Sequence, residues 1–356
     1  MGKFAVEVVK IAKVWVHPDA DRLELASVEG LDYQFCVGKG CCQPGDDVVF
    51  FPVDSLLPDP LSEHLGVKNF LSGKAKNRIK TVKLRGQISQ GLTTPVEKVR
   101  EYVEKQGSEW ALRWGTSDLA EALGVTKYEP PEISCKAGKL VRLPEGVPLY
   151  DIEGAQNFPE VANSLLGEKV CVTEKLEGTN FAISVDREGN LHVCQRSHAI
   201  VPDEAGEHDF WKVVRESGFE AKLRELRDKC FPGQHVTLRG ELVGPGIQKN
   251  IYKLAKRTVF FFDVLVDGTY LPVDAWIDVC DLFGFAKVPV ITLTKTLGEW
   301  LDGKGLQDAS NGGSLLAVGV RREGVVIRPK AERHVPEIGR LIIKQRSPEY
   351  LAGTDT

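Results

Sequence analysis

The stretch VCVTEKLEGTNFAISV, residues 170–185, puts a lysine where a plain hairpin has no use for one. Apolar alternation on either side predicts two strands, and Gly178 and Asn180 suffice for the turn between them. Lys175 instead ends the first strand, with Glu174 before it and Glu177 two residues on. Lys175 and Glu177 share one side-chain parity, so both leave the strand on one face. Gly178 permits a sharp turn or the close approach of a ligand. A lysine becomes a nucleophile by losing its proton, which desolvation or a neighbouring positive charge promotes. Taken alone, the residues KLEG also read as an ordinary surface hairpin.

Further along, charged residues recur at strand ends. LRGELVGPGIQKN puts Glu241 at the end of a predicted strand, before two glycines. The triple-aromatic strand FFFD ends in Asp263, REGVVIRP opens an apolar strand with Glu323, and LIIKQRSPEYL sets Lys344 and Arg346 two apart on one strand face. Singly, each reads as a solvent-facing strand end. Together they point to one polar cleft with separable roles. Carboxylates there would hold a hydrated Mg²⁺, which prefers oxygen ligands and keeps its waters. The cations would hold phosphates, and an aromatic ring would stack on a base.

These elements need a scaffold. A chain of 356 residues predicts roughly two domains. The net charge of −4 carries no overall nucleic-acid signal, so any basic face is local. The cysteines are scattered, with only Cys41 and Cys42 close together, which fits thiols of a reducing, intracellular (cytoplasmic) compartment. The opening MGKFAVEVV has no apolar signal region, and no stretch is apolar enough to span a membrane, so no membrane partner is expected.

In the N-terminal third, short strands such as FAVEVVKIAKVWV and DDVVFFPVD alternate with Gly-Lys-Gly and Pro-Gly turns, which predicts a small OB-type β-barrel. The segment VKNFLSGKAKNRIKTVKLRGQISQG carries Lys74, Lys76, Arg78, Lys80, Lys83 and Arg85 and no acid. Arg78 and Lys80 alternate with Ile79 and Val82, as on a strand with one basic face suited to single-stranded nucleic acid. A solvated loop is the competing reading. Helical pieces (VEKVREYVEKQ, SDLAEALG) and Pro-rich connectors (YEPPEI) then mark a boundary near 125–135. The expected domains are 1–125 and 126–356. The second is expected to be α+β, with antiparallel strands at 169–174, 181–186, 190–195, 235–243, 257–266, 323–328 and 340–345, and helices at 206–229 and 274–283.

The ordered set KxEG, RS, GE, FFFD, EGVVIR and IIKQR resembles the collinear motifs of the covalent nucleotidyltransferases: ATP-dependent RNA and DNA ligases and mRNA capping enzymes. EKLEGTNF and GELVGPGIQKN look most like the RNA ligases. The resemblance covers about two-thirds of the chain, from roughly Asp151 onward. IAKVWVHPDADRLELASVEG is similar to the OB module appended to some aminoacyl-tRNA synthetases. An OB domain ahead of the transferase is the arrangement of one RNA ligase branch. DNA ligases and capping enzymes place theirs after it, and with ten residues beyond Arg346 no such domain is expected here.

The resemblance implies an RNA ligase that joins RNA 3′-OH to 5′-phosphate ends, with ATP and Mg²⁺ or Mn²⁺ as co-substrate and cofactor and a nicked duplex as partner. Lys175 would attack the α-phosphate of ATP. Lys344 would contact that phosphate and ease proton loss from Lys175 by like charge. Glu177, Glu241 and Glu323 would contact the metal, largely through its waters; Glu177 stands where the family more often has Asp. Arg346 stands where a second lysine is common, replacing a point charge with a planar fork. Glu174 and Phe262 would bind the nucleotide, Phe262 by stacking on adenine, with Phe260 as its rival on the same face; Arg196 and Ser197 would bind the ribose of the nucleotide or a nucleic-acid phosphate. Asn180 would assist strand joining, or merely serve the turn. Gln248 and Lys249 would contact phosphates, and His198 is given no acid–base role. Two other classes stay open: a DNA ligase or capping-type transferase, and a non-catalytic RNA-binding protein.

Overall fold

The computed structural model describes residues 4–106, 118–128, 139–202 and 208–353. Most of the expected YEPPEI connector and the first residues of the expected helix 206–229 lie outside them. The chain divides into two compact units, one mostly residues before 133 and the other running from there to Tyr350 except for 156–159.

In the N-terminal unit, strands β1 (Glu7–Val16), β2 (Leu23–Val28), β3 (Phe35–Gly38), β4 (Asp47–Phe51) and β5 (Leu92–Pro95) form an antiparallel sheet in the order β3-β2-β1-β4-β5. β1 is shared: residues 7–10 pair with β4 and residues 11–16 with β2, with a register shift between Ile11 and Lys13. Such an irregularity bends a strand, so one long strand serves both halves of a curved sheet. The edges meet where Gln90 N–H donates to Gln34 O at 2.8 Å and Cys36 N–H to Ser89 Oγ at 3.0 Å. The run VVFF in β4 is buried on both sides, Val49 and Phe51 in one apolar cluster and Val48 and Phe50 in another. This is a near-closed OB-type barrel.

The basic segment departs from expectation. Residues 72–78 form a turn closed by a Ser72–Arg78 bridge, and the strands that follow are short, Val82–Leu84 paired with Gln87–Ser89. Lys76 at φ 46 and Arg85 at φ 42 adopt left-handed backbone, which interrupts a strand. Arg78 does not join a basic face. Its guanidinium donates to Asp54 Oδ1 at 2.5 and 3.0 Å and lies 3.4 Å over the Tyr128 ring. Lys74, Lys76, Lys83 and Arg85 are exposed, and Lys80 is half-buried.

The C-terminal unit has twelve strands that bear on the site: β6 (Leu140–Arg142), β7 (Glu153–Gly154), β8 (Val170–Lys175), β9 (Thr179–Val185), β10 (Leu191–Cys194), β11 (His198–Ile200), β12 (Val236–Val243), β13 (Thr258–Val266), β14 (Thr269–Tyr270), β15 (Val290–Thr292), β16 (Gly324–Pro329) and β17 (Ile343–Arg346). One sheet has the order β6-β11-β10-β9-β12-β13-β14 and the other β7-β17-β16-β8-β15. The pairs are antiparallel except for a short parallel contact of β7 with β17. The main core lies around Phe181, Phe261, Leu223 and Trp276. The expected helix 206–229 is two helices, Asp209–Glu216 and Phe219–Cys230, because Gly218 at φ 63 turns the chain left-handed between them. The expected helix 274–283 is Val273–Phe283. No helix among the described residues is long and apolar enough to cross a membrane.

Asp263 is the charged centre of this unit. It is 1% exposed and accepts hydrogen bonds from Arg328, from Arg340 at 2.7 and 2.8 Å and from the Tyr150 hydroxyl at 3.0 Å. Burial opposes its charge, but Arg340 and Arg328 overcome that and hold its pKa down to about 2. Because the folded pKa is depressed, this stabilisation is complete above the unfolded value and is lost as pH falls through about 2. Asp263→Ala leaves two buried guanidiniums unpaired and is expected to cost about 3–5 kcal/mol in denaturant titration at neutral pH. A loss under about 1 kcal/mol would mean that the cluster does not hold the unit together.

Candidate active site

Two close approaches bring the polar residues together. Lys175 closes β8 opposite Gly324 of β16. A Cβ on Gly324 would lie 2.2 Å from Gln345 O, so only glycine lets β16 begin here and carry Glu323 to the lysine. A Cβ on Gly178 would meet Leu242 O at 2.5 Å and Glu241 Cγ at 2.7 Å, so the turn after Lys175 packs directly on β12. Both positions require the residue without a side chain.

The result is a cavity of about 220 Å³ lined by Glu174, Lys175, Asn180, Arg196, Glu241, Phe262 and Lys344, all expected from the sequence, together with Tyr150, Asp151 and Arg328. Lys175 Nζ pairs with Glu323 Oε2 at 2.7 Å, and the other Glu323 oxygen lies 3.4 Å from Arg346 Nε. Burial raises the Glu241 carboxyl to about 8, with Lys175 opposing and Glu323 adding. The like-charge effect expected of Lys344 is seen on Lys344 itself. Burial, then Lys175, push its pKa down to about 8, while Asp151 at 4.0 Å gives it partial support.

Glu174 is 1% exposed, and burial raises its pKa. Its Oε2 accepts the Leu315 N–H at 2.7 Å, whereas Oε1 is buried in the cavity wall with no hydrogen-bond partner. Phe262 lines the cavity, with the Tyr150 ring 5.1 Å away. Phe260 does not, despite its shared parity. The register shift between Arg239 and Gly240 leaves Phe262 as an extra residue, a bulge that re-aims its side chain. Asn180 lies in strand β9 rather than in the turn, and its Oδ1 accepts from Arg239 at 3.2 Å. Arg196 sits at the rim, paired with Asp151 at 2.9 Å.

Several expected residues lie elsewhere. Ser197 does not line the cavity; its hydroxyl shares a 2.9 Å hydrogen bond with His198 Nδ1. Arg346 does not line the cavity and lies beside Glu323. Gln248 Nε2 donates to Gly178 O at 3.3 Å. The three carboxylates expected at a metal are placed differently. Among the described residues, no group of three or more His, Cys, Asp or Glu is placed to hold a metal ion. Glu177 is the outlier, because its carboxylate is engaged by the Tyr350 hydroxyl and the Lys249 N–H. Glu241 and Glu323 remain beside Lys175. Two carboxylates fit a cation that keeps its waters and shares a substrate's phosphates, not an all-protein cage.

Sequence reasoning missed Arg239 and Arg328. Arg239 is fully buried, 5.2 Å from the Tyr150 ring centre, and Arg328 holds Asp263 while lying 4.8 Å over Trp276. The signal was an arginine inside each of the apolar strands TLRGELV and GVVIRP, since buried charge is rare unless paired.

A family model for RNA ligase matches residues 168–346, half of the chain. The chain belongs to the RNA ligase family. It is thus an enzyme of the class that joins RNA ends. A model for an OB-fold domain matches residues 5–96. Among solved structures, Naegleria gruberi RNA ligase with PPi is 23% identical, with 99% of this chain and 100% of that chain covered and a TM-score of 0.76. An apo mutant of the same ligase is 24% identical over 100% of both chains, with a TM-score of 0.75. A lysine-to-alanine mutant of it with ATP and Mn is 24% identical over 98% of both chains, with a TM-score of 0.74. The ligase fold therefore accounts for both units.

The cavity's electrostatics are open to a direct check. Removing the Lys175 charge by Lys175→Met is expected to raise the pKa of Lys344 from about 8 toward the ordinary lysine range. Titrating isotopically dimethylated lysines by NMR measures it. An unmoved Lys344 resonance would show that the two ammonium groups do not interact.

Proposed function

We propose that this protein is an ATP-dependent RNA ligase that seals RNA 3′-OH ends to 5′-phosphate ends, with Lys175 as the nucleophile. One arrangement supports the reading above others: Lys175 and Lys344 share a cavity that also offers an aromatic face at Phe262. The neighbour solved with ATP and Mn agrees with this choice of nucleotide and metal.

The chemistry is in-line phosphoryl transfer in three steps, each governed by positioning and charge neutralisation. Lys175 leaves Glu323, loses its proton and attacks the α-phosphorus; a P–N bond forms, the α–β P–O bond breaks and pyrophosphate departs. An oxygen of the RNA 5′-phosphate next attacks the same phosphorus, breaking the P–N bond and giving a 5′-adenylylated end. The 3′-OH then attacks the 5′-phosphorus, a phosphodiester forms and AMP leaves. Lys344 and Arg196 carry phosphate charge, and Asn180, oriented by Arg239, serves the joining steps. Glu241 and Glu323 are the residues that would hold Mg²⁺ or Mn²⁺, which when bound would neutralise charge on the phosphates.

We assign residues 1–125 to an OB domain that grips the nicked duplex and 126–356 to the transferase. The exposed Lys74, Lys76, Lys83 and Arg85, with Lys80 beside them, would contact phosphates; Arg78 is excluded by its ion pair with Asp54. The seven described cysteines are free thiols, which supports an intracellular setting.

Two experiments test this reading. Lys175→Ala is expected to lose sealing of a nicked duplex with an RNA 3′-OH strand, yet still to seal a strand supplied already adenylylated. Loss of both activities with the fold intact, or retention of both, would contradict the nucleophile assignment. Changing Lys74, Lys76, Lys83 and Arg85 together to Ala is expected to weaken duplex binding and to lower the salt dependence of log K by about 3–4, leaving AMP attachment unchanged. An unchanged salt slope would remove the OB domain's assigned role.

A further inference from the structure

The engagement of Glu177 points beyond the ligase reading. Glu177 is 8% exposed, and its carboxylate is held at both oxygens by protein donors: Oε2 by the Tyr350 hydroxyl and Oε1 by the Lys249 N–H at 3.1 Å. Its own N–H donates to the Tyr252 hydroxyl at 2.7 Å. Tyr350 lies in the first turn of the helix Pro348–Gly353, and its N–H donates to Ser347 Oγ at 3.1 Å. The Ser347 N–H donates to the carbonyl of Glu323 at 2.8 Å, and Ser347 Oγ donates to Asn311 Oδ1 at 2.7 Å. Glu323 is the ion-pair partner of Lys175. A run of bonded groups therefore leads from the turn after Lys175, through Glu177, Tyr350 and Ser347, back to the lysine's own partner.

We propose that Glu177 and Tyr350 form a clasp that positions Lys175, and that Glu177 is not a metal ligand in this chain. Both Glu177 oxygens already accept a hydrogen bond in a buried carboxylate, which leaves a cation fewer lone pairs and less access there, while Glu241 and Glu323 already face the lysine. The arm length matters. Aspartate, one methylene shorter, would fall short of Tyr350 from the same backbone position. Glutamine keeps the reach and an acceptor oxygen but loses the charge. The clasp thus makes Tyr350 a positioning residue, coupling the KLEG turn to the strand that carries Lys344. The inference rests on the reading of Lys175 as nucleophile.

The two roles predict opposite orders of severity, so conservative variants separate them. In the full-length protein, Tyr350→Phe and Glu177→Asp are expected to speed amide hydrogen exchange across Leu176–Gly178 and to slow AMP attachment about tenfold each. The double variant is expected to be no worse than either single one, as for residues acting as a unit. Glu177→Gln is expected to retain attachment and to bind Mn²⁺, measured by electron paramagnetic resonance without nucleotide, within about twofold of the parent; Glu241→Gln weakens that binding about tenfold or more, as for a ligating group. The proposal is overturned if Glu177→Gln loses Mn²⁺, or if Glu177→Asp and Tyr350→Phe leave exchange at the turn unchanged. If the parent protein takes up no AMP, the ligase reading fails, and the exchange and Mn²⁺ measurements still decide the clasp.

Discussion

The site depends on one ladder contact: Lys175 facing Gly324 across β8 and β16. The pairing delivers Glu323 to the lysine, and its closeness rests on a glycine whose missing Cβ makes room for the backbone of β17. β17 in turn carries Lys344 into the same cavity. Lys175 is thus fixed against two segments more than a hundred residues further along the sequence by a short stretch of sheet. Sheet registers are discrete, and a one-residue slip would turn every side chain to the other face. The chemistry inherits its precision from that discreteness.

Around this contact the protein concentrates charge that would be costly if unpaired. The Asp263, Arg328 and Arg340 cluster is buried directly behind the cavity wall, since Arg328 belongs to both. Its cost in desolvation is offset by multiple hydrogen bonds and by the rings of Trp276 and Tyr270. Within the cavity the balance differs. Lys344 and Glu241 both have pKa values moved to about 8, one down and one up, because burial without full pairing disfavours charge of either sign. A paired cluster behind the wall and a cavity whose charges are not fully paired is the arrangement expected of a site awaiting a charged substrate.

Much of this was legible in the sequence because it is local. Strand alternation marked β8, β9, β12, β13, β16 and β17 within a few residues, and of the charged residues at their ends Lys175, Glu241 and Lys344 line one cavity. What was not legible required knowledge of three-dimensional detail. The bulge that separates Phe262 from Phe260 leaves no trace in parity. The break at Gly218 hides within a continuous helical pattern. Arg78 looked like one more basic residue until Asp54 and Tyr128, distant in sequence, closed around it. Glu177 sits in a motif position that invites a metal, and only the fold brings Tyr350 to it.

The central claim is that Lys175 takes AMP from ATP. Its most direct measurement is incubation of the purified, AMP-free protein with Mg²⁺ or Mn²⁺ and ATP labelled at the α-phosphate, followed by peptide mapping of any covalent label. The account predicts label on Lys175 alone, from ATP and not from GTP. Label on another residue, label from GTP, or no label at all would contradict it.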